Sequence, residues 1–144
     1  MGGLSMFALM QSTRTQSLHL FNDPPTGLKA VVAIHSEQLG PAMGGCRYLP
    51  YADDESAMTD AIRLAQGMSY KAALAGLPLG GGKAVIMRNP HVENRAALFE
   101  AFGRFIDTLH GRFIIAVDSG TSTLDMDCIA QSTPCLLYTS DAAD

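Results

Sequence analysis

Residues 77–90 read LPLGGGKAVIMRNP, and the way this stretch divides sets the architecture on either side of it. Gly80, Gly81 and Gly82 lack a Cβ, which opens φ values closed to other residues and lets a backbone approach a ligand closely. Residues 76–82 therefore read as a loop. Residues 84–87 are a short apolar run of the kind found in buried strands, and Asn89-Pro90 turns the chain away from it. Lys83 stands at the junction of loop and strand. In such apolar surroundings desolvation disfavours the charged ammonium, the property that a lysine general base needs near neutral pH.

Working outward, residues after the Asn89-Pro90 turn form an amphipathic helix with Leu98, Phe102, Phe105 and Leu109 on one face and Gly111 as its stop. Residues 113–117 (FIIAV) follow as a buried strand that ends at Asp118. On the other side, Asp53 or Asp54 caps a helix whose apolar positions Met58, Ala61, Ile62, Ala65 and Met68 repeat at helical spacing. Before it, residues 44–48 read as a short glycine-led strand or loop. Residues 28–35 (LKAVVAIH) are a β-branched, continuously apolar run, hence a buried strand, bounded by the turn cluster Asp23-Pro24-Pro25-Thr26-Gly27 and by Gly40-Pro41. Strands alternating with helices predict an α/β, three-layer domain around a largely parallel sheet. No internal repeat is present.

Composition narrows the function classes. The chain has 144 residues, 47% hydrophobic and 17% charged, which fits one globular domain. A formal net charge of −4 with scattered basic residues gives no phosphate-backbone footprint, so nucleic acid is not expected as a partner. No run approaches the ~20 apolar residues that span a bilayer, so no membrane is expected either. The start lacks a basic n-region and a cleavage site, and Met6 is an alternative start, with residues 1–5 as an extension. Cys46, Cys128 and Cys135 have no metal-type spacing and suit free thiols in a cytoplasm. His19, His35, His91 and His110 likewise show no ligand spacing, so no metal is expected. Asp53-Asp54-Glu55 reads as a helix-start charge cluster, and Asp125 and Asp127 as part of a short helix after residue 118.

Three polar features stand out. The glycine run with Lys83 is not a phosphate loop: Walker spacing needs glycine where Leu77 stands and a hydroxyl residue where Ala84 stands. Nor is it a dinucleotide fingerprint, because Val85 occupies the place of the third glycine. Lys71, in Gly67-Met68-Ser69-Tyr70-Lys71, falls at the edge of the apolar helix face if the helix passes Gly67. Taken alone it reads as a snorkelling surface lysine. Asp118, in Asp118-Ser119-Gly120-Thr121, lies just past a strand, where open α/β sheets place ligands if that strand is parallel. Taken alone it reads as a turn or cap aspartate. Together, the three could converge on an amino-acid zwitterion, with one cation on the α-carboxylate and the other paired with the carboxylate to move protons.

With these residues in view, the chain resembles the Glu/Leu/Phe/Val dehydrogenase family, and its leucine dehydrogenase branch in particular. Residues 77–90 resemble the family's active-site signature, and residues 40–47 (GPAMGGCR) its substrate-loop motif. Residues 68–71 (MSYK) and 118–121 (DSGT) also match. The similarity runs in order from Leu18 to Thr133. It implies that Lys71 binds the substrate α-carboxylate, that Lys83 activates the water attacking the imino carbon, and that Asp118 exchanges protons with the departing amine. Gly44, Met43 and Ala116 would complete the substrate site. The family usually has glutamate where Val117 stands and valine where Ser119 stands.

The implied reaction is reversible oxidative deamination with NAD as cofactor, NADP being left open. Glutamate enzymes carry a lysine at the place of Met43. A buried glutamate side chain without a partner cation is costly, whereas a thioether suits an apolar one. Leucine, valine or isoleucine is therefore the expected substrate, with phenylalanine-type specificity or a non-catalytic amino-acid-binding module as alternatives. The resemblance further implies a cytoplasmic homo-oligomer in the full-length protein. Residues 1–134 are expected to be the substrate-binding, catalytic domain, with the dinucleotide-binding domain missing and this fragment inactive by itself. Residues 135–144 (CLLYTSDAAD) resemble the in-frame translation of a sequencing adapter and are set aside from the fold.

Overall fold

Five strands form one sheet in the order β1-β2-β4-β3-β5. The computed structural model describes residues 5–137. Along the chain the elements are α1 (Met6–Thr13), β1 (Ser17–Asp23), β2 (Leu28–Ser36), β3 (Ala42–Leu49), α2 (Asp54–Leu74), β4 (Gly80–Met87), α3 (Arg95–Asp107), β5 (Phe113–Val117) and α4 (Thr123–Ala130). Strands β3, β4 and β5 run parallel. Strand β2 is antiparallel to both of its neighbours, β1 and β4. Four strands thus share one direction and β2 alone is reversed, so the expected largely parallel sheet is observed.

The apolar run of β2 is explained by burial on both faces rather than by parallel pairing. Leu28, Ala30, Val32 and Ile34 join a core with α3 and α4, while Val31 and Ala33 join a second core with α1 and α2. Because side chains alternate across a strand, the same division sorts β4. Ala84 and Ile86 face α3, and Val85 faces α2. Helices on both faces make the three layers.

Helix α2 begins at Asp53, whose carboxylate accepts the Ser56 N–H at 2.7 Å. Asp54 and Glu55 follow in the first turn, where the helix dipole favours negative charge. The helix passes Gly67 without a break and carries Ser69 and Lys71 in its final turns. Helix α3 ends sooner than its apolar spacing implied, at Asp107, with buried Leu109 in the turn beyond.

Three elements depart from the sequence reading. Gly80–Gly82 are the first residues of β4, not a loop, and all three are buried. They pair with β2 and β3, and they are glycines because neighbours come too close for side chains: a Cβ at Gly81 would collide with the Ser69 backbone nitrogen. Strand β1 carries no continuous apolar run, since it is an edge strand with half-buried and exposed residues. Helix α1, capped by Ser5, buries only Leu9 and Thr13, too narrow an apolar face to announce itself. Beyond residue 134, Leu136 forms a parallel bridge to Ile115 of β5. Of the segment set aside above, residues 135–137 thus lie along the β5 edge and the rest falls outside the described residues.

Candidate active site

Helix α2 packs on β4 and β2 and makes far less contact with β3. Among the described residues, no helix packs closely over the α2-side face of β3 and β5. Strand register places side chains on that face in rungs. Met43 of β3 pairs with Gly81 of β4 and with Ile114 of β5. One alternation further along, Gly45 pairs with Ala116, and Lys83 is the corresponding residue of β4. Arg47 of β3, paired with Val85, follows. Met43, Lys83, Arg47 and Ala116 thus share one surface.

Asp118, directly after β5, folds back over this surface. A Cβ at Gly45 would stand 2.6 Å from the Asp118 Cβ and 2.7 Å from its Oδ2. Glycine at 45 is what lets the carboxylate reach across β3 to the Lys83 ammonium, with which it forms a direct ion pair through Oδ2. Lys83 is 6% exposed. Its burial is tolerable because the charge is paired. Arg47 Nε also lies 3.4 Å from Oδ2, while Oδ1 accepts the Ser119 N–H at 2.7 Å. Burial alone would raise the Asp118 pKa, but Lys83, the Ser119 N–H and Arg47 outweigh it and hold the carboxyl below its ordinary value.

The loop carrying Asp118 is clamped from several sides. Thr121 Oγ1 donates to the Cys46 carbonyl at 2.8 Å and accepts the Asp118 N–H at 2.9 Å. Gly120 has φ +84°, and a Cβ there would collide with the Tyr48 carbonyl. Asp125, 4% exposed, accepts the Ser122 N–H at 2.9 Å in a capping box. It also receives two hydrogen bonds from Arg95, at 2.8 and 2.7 Å, a bidentate pair. Arg95 Nη2 donates in addition to the Gly120 carbonyl at 2.8 Å, and its guanidinium lies over the Tyr48 ring.

Of the three residues read as able to converge, Lys83 and Asp118 are in direct contact. Lys71 forms no ion pair with either of them. It is exposed in the last turn of α2 and makes no side-chain hydrogen bond or ion pair among the described residues. Gly44 is buried and its Cβ position is filled by the Gly82 carbonyl, so only its peptide groups can serve a ligand. Val117, where the family usually has glutamate, is exposed.

Arg47, Asp60, Tyr51 and Arg95 were missed by sequence reasoning. The only signal was Arg47 inside the glycine-led motif at 44–48; the others are scattered along the chain. Cys46 is fully buried, and burial, followed by the Asp125 and Asp118 charges, pushes its thiol pKa up, which removes it as a nucleophile. Buried His35 is held by Thr13 and Ser69: its Nε2 donates to the Thr13 carbonyl at 2.6 Å, leaving Nδ1 to accept the Ser69 hydroxyl at 2.7 Å.

A family model described as Glu/Leu/Phe/Val dehydrogenase, dimerisation domain, matches residues 15–134. Leucine dehydrogenase of Geobacillus stearothermophilus is 48% identical over 130 residues, covering 90% of this chain and 35% of the relative. Valine dehydrogenase of Streptomyces virginiae is 53% identical over 112 residues, 78% of this chain and 31% of the relative. Among solved structures, L-tryptophan dehydrogenase from Nostoc punctiforme superposes with a TM-score of 0.87 at 42% identity, covering 92% of this chain and 39% of that one. The chain spans about a third of the length of the curated relatives it matches.

Proposed function

Since the chain belongs to the Glu/Leu/Phe/Val dehydrogenase family, we propose that residues 1–134 are the substrate-binding half of an amino-acid dehydrogenase that oxidatively deaminates an apolar L-amino acid. The observation that carries this reading is the direct Lys83–Asp118 pair on an uncovered sheet face, beside Met43 and Ala116. That face offers a buried cation, a carboxylate and an apolar wall within one patch.

In this reading the exposed Lys71 ammonium takes the substrate α-carboxylate, and the unclaimed charge of that residue supports the role. Lys83 activates the water that adds to the imino carbon, which requires it to release Asp118 and give up a proton. Asp118 exchanges protons with the amine before it departs. Met43 and Ala116 meet the side chain, and the peptide groups of Gly44 line the approach. Met43 offers an apolar side chain a polarisable contact and offers a glutamate carboxylate no charge. Leucine, valine or isoleucine is the primary substrate class. Aromatic side chains are the second reading, favoured by the similarity to an L-tryptophan dehydrogenase.

The cofactor we propose is NAD, supplying hydride-acceptor chemistry. The residues described here do not fit its pyrophosphate. Gly80–Gly82 lie in a central strand hydrogen-bonded on both sides, not in a turn opening a helix. Positioning of the nicotinamide therefore falls to residues other than these, and the chain alone is expected to be inactive. We further propose a homo-oligomer, in keeping with the dimerisation domain named in the family model's description. The proposed cytoplasmic location is in keeping with free Cys46, Cys128 and Cys135. Among the described residues no helix is long and apolar enough to cross a membrane.

Calorimetric titration of the chain with leucine and with glutamate tests the reading. Leucine binding that weakens at least tenfold in Lys71→Ala, with glutamate bound far more weakly, is expected. Equal affinity for both, or leucine binding unaffected by Lys71→Ala, overturns it. Measurable NAD reduction with leucine by the purified chain would overturn the expectation of inactivity.

A further inference from the structure

Asp118 Oδ2 meets two cations, and they differ in how they are held. Lys83 is an aliphatic stem ending at the carboxylate. Arg47, in contrast, is tethered from behind: its Nη1 lies 3.7 Å from Asp60 Oδ2 on α2, and Asp60 Oδ2 accepts the Tyr51 hydroxyl at 2.5 Å. The row Tyr51–Asp60–Arg47–Asp118 thus ties the segment after β3, helix α2, strand β3 and the turn after β5 to one oxygen. Arginine stays protonated throughout the working pH range, so this row cannot relay protons. It can only hold charge in place.

We propose that Arg47 is a positioning residue that keeps Asp118 ionised and seated while Lys83 changes its protonation and its partner. The inference rests on the proposed role of Lys83 and Asp118. When Lys83 gives up its proton, the Lys83–Asp118 attraction disappears. A partly buried carboxylate with no other cation would take up a proton or turn toward water. Arg47 stays at Oδ2 because Asp60 holds its other end, and the Ser119 N–H stays on Oδ1. The titratable and charged groups around Asp118 are Lys83 of β4, Arg47 of β3, Tyr51 in the segment after β3, and Asp60 of α2 behind Arg47.

The test is a carbon-detected NMR pH titration of the Asp118 carboxyl in the chain, assigned by its loss in Asp118→Asn. In Arg47→Met the midpoint is expected to rise by about one pH unit, and Arg47→Lys is expected to recover at least half of that. A purely structural arginine would not be rescued by a shorter cation. Should Arg47→Met fail to fold, the wild-type chain decides: the Arg47 Nε resonance is expected to titrate with the Asp118 midpoint. An unmoved midpoint in Arg47→Met, or an Arg47 Nε resonance indifferent to Asp118, overturns the proposal. These readouts use neither substrate nor cofactor. A chain that titrates as expected and binds no amino acid therefore removes the proposed function and leaves the charge coupling standing.

Discussion

Replacing Asp118 by asparagine probes the ion pair from the side that matters most for stability. Lys83 is 6% exposed, and Asp118 is the anion it meets. The asparagine side chain would keep the shape and remove the charge, leaving an ammonium buried without a counterion. Breaking a buried pair from one side costs about 3–5 kcal/mol. The Asp118 side chain is 20% exposed, so water reaches the vacated position and the low end, about 3 kcal/mol, is expected. The opposite change, Lys83→Met, leaves Asp118 with Arg47 at 3.4 Å and the Ser119 N–H at 2.7 Å. Methionine also fills the lysine stem's space, so that variant is expected to lose only about 1 kcal/mol.

Urea unfolding of the two variants at pH 7 reads this asymmetry directly. The pH dependence adds a sign. The Asp118 carboxyl is held below its ordinary value in the folded chain, so its contribution is present above the unfolded pKa of about 3.9 and lost as pH falls through the lower folded value. The stability gap between wild type and Asp118→Asn should therefore narrow below about pH 4. A Lys83→Met cost equal to or above that of Asp118→Asn, or a gap that widens in acid, would refute the reasoning.

Gly45→Ala would put a methyl 2.6 Å from the Asp118 Cβ; a loss of about 1–3 kcal/mol is expected, with the Asp118 carboxyl titrating closer to its ordinary value, as NMR would read. Arg95→Met removes the partner of buried Asp125 and the Gly120 carbonyl contact, so a loss of about 3 kcal/mol is expected in urea, larger than for Arg95→Lys. Met43→Lys is expected to move the chain's preference from leucine toward glutamate in competitive calorimetry, because the new ammonium supplies the charge that a buried γ-carboxylate lacks.

How much of this was legible in advance differs by element. The strand at 113–117 and a helix capped at Asp53 or Asp54 follow from local rules, because periodicity and capping are written within a few neighbouring residues. The glycine run was harder. A triple glycine taken alone reads as a loop, and only its pairing with β2 and β3, distant along the chain, makes it a strand. Strand β1 and helix α1 were invisible for a related reason: each buries too little for a pattern to show. In the site, Lys83 and Asp118 carried a signal through their flanking sequences. Arg47, Asp60 and Arg95 carried almost none, since a charge becomes informative only once its partner is known.

The amino-acid sequence by itself determined the layer architecture and the family, because these depend on local spacing and on motif order. The tertiary structure decided which side chains meet. Residues 83 and 118 are joined only because β4, β3 and β5 lie side by side and Gly45 leaves the path between them open. It also left Lys71 exposed and supplied Arg47 as a second cation. Charge pairing acts over a few ångströms in space, and distance along the chain does not report it.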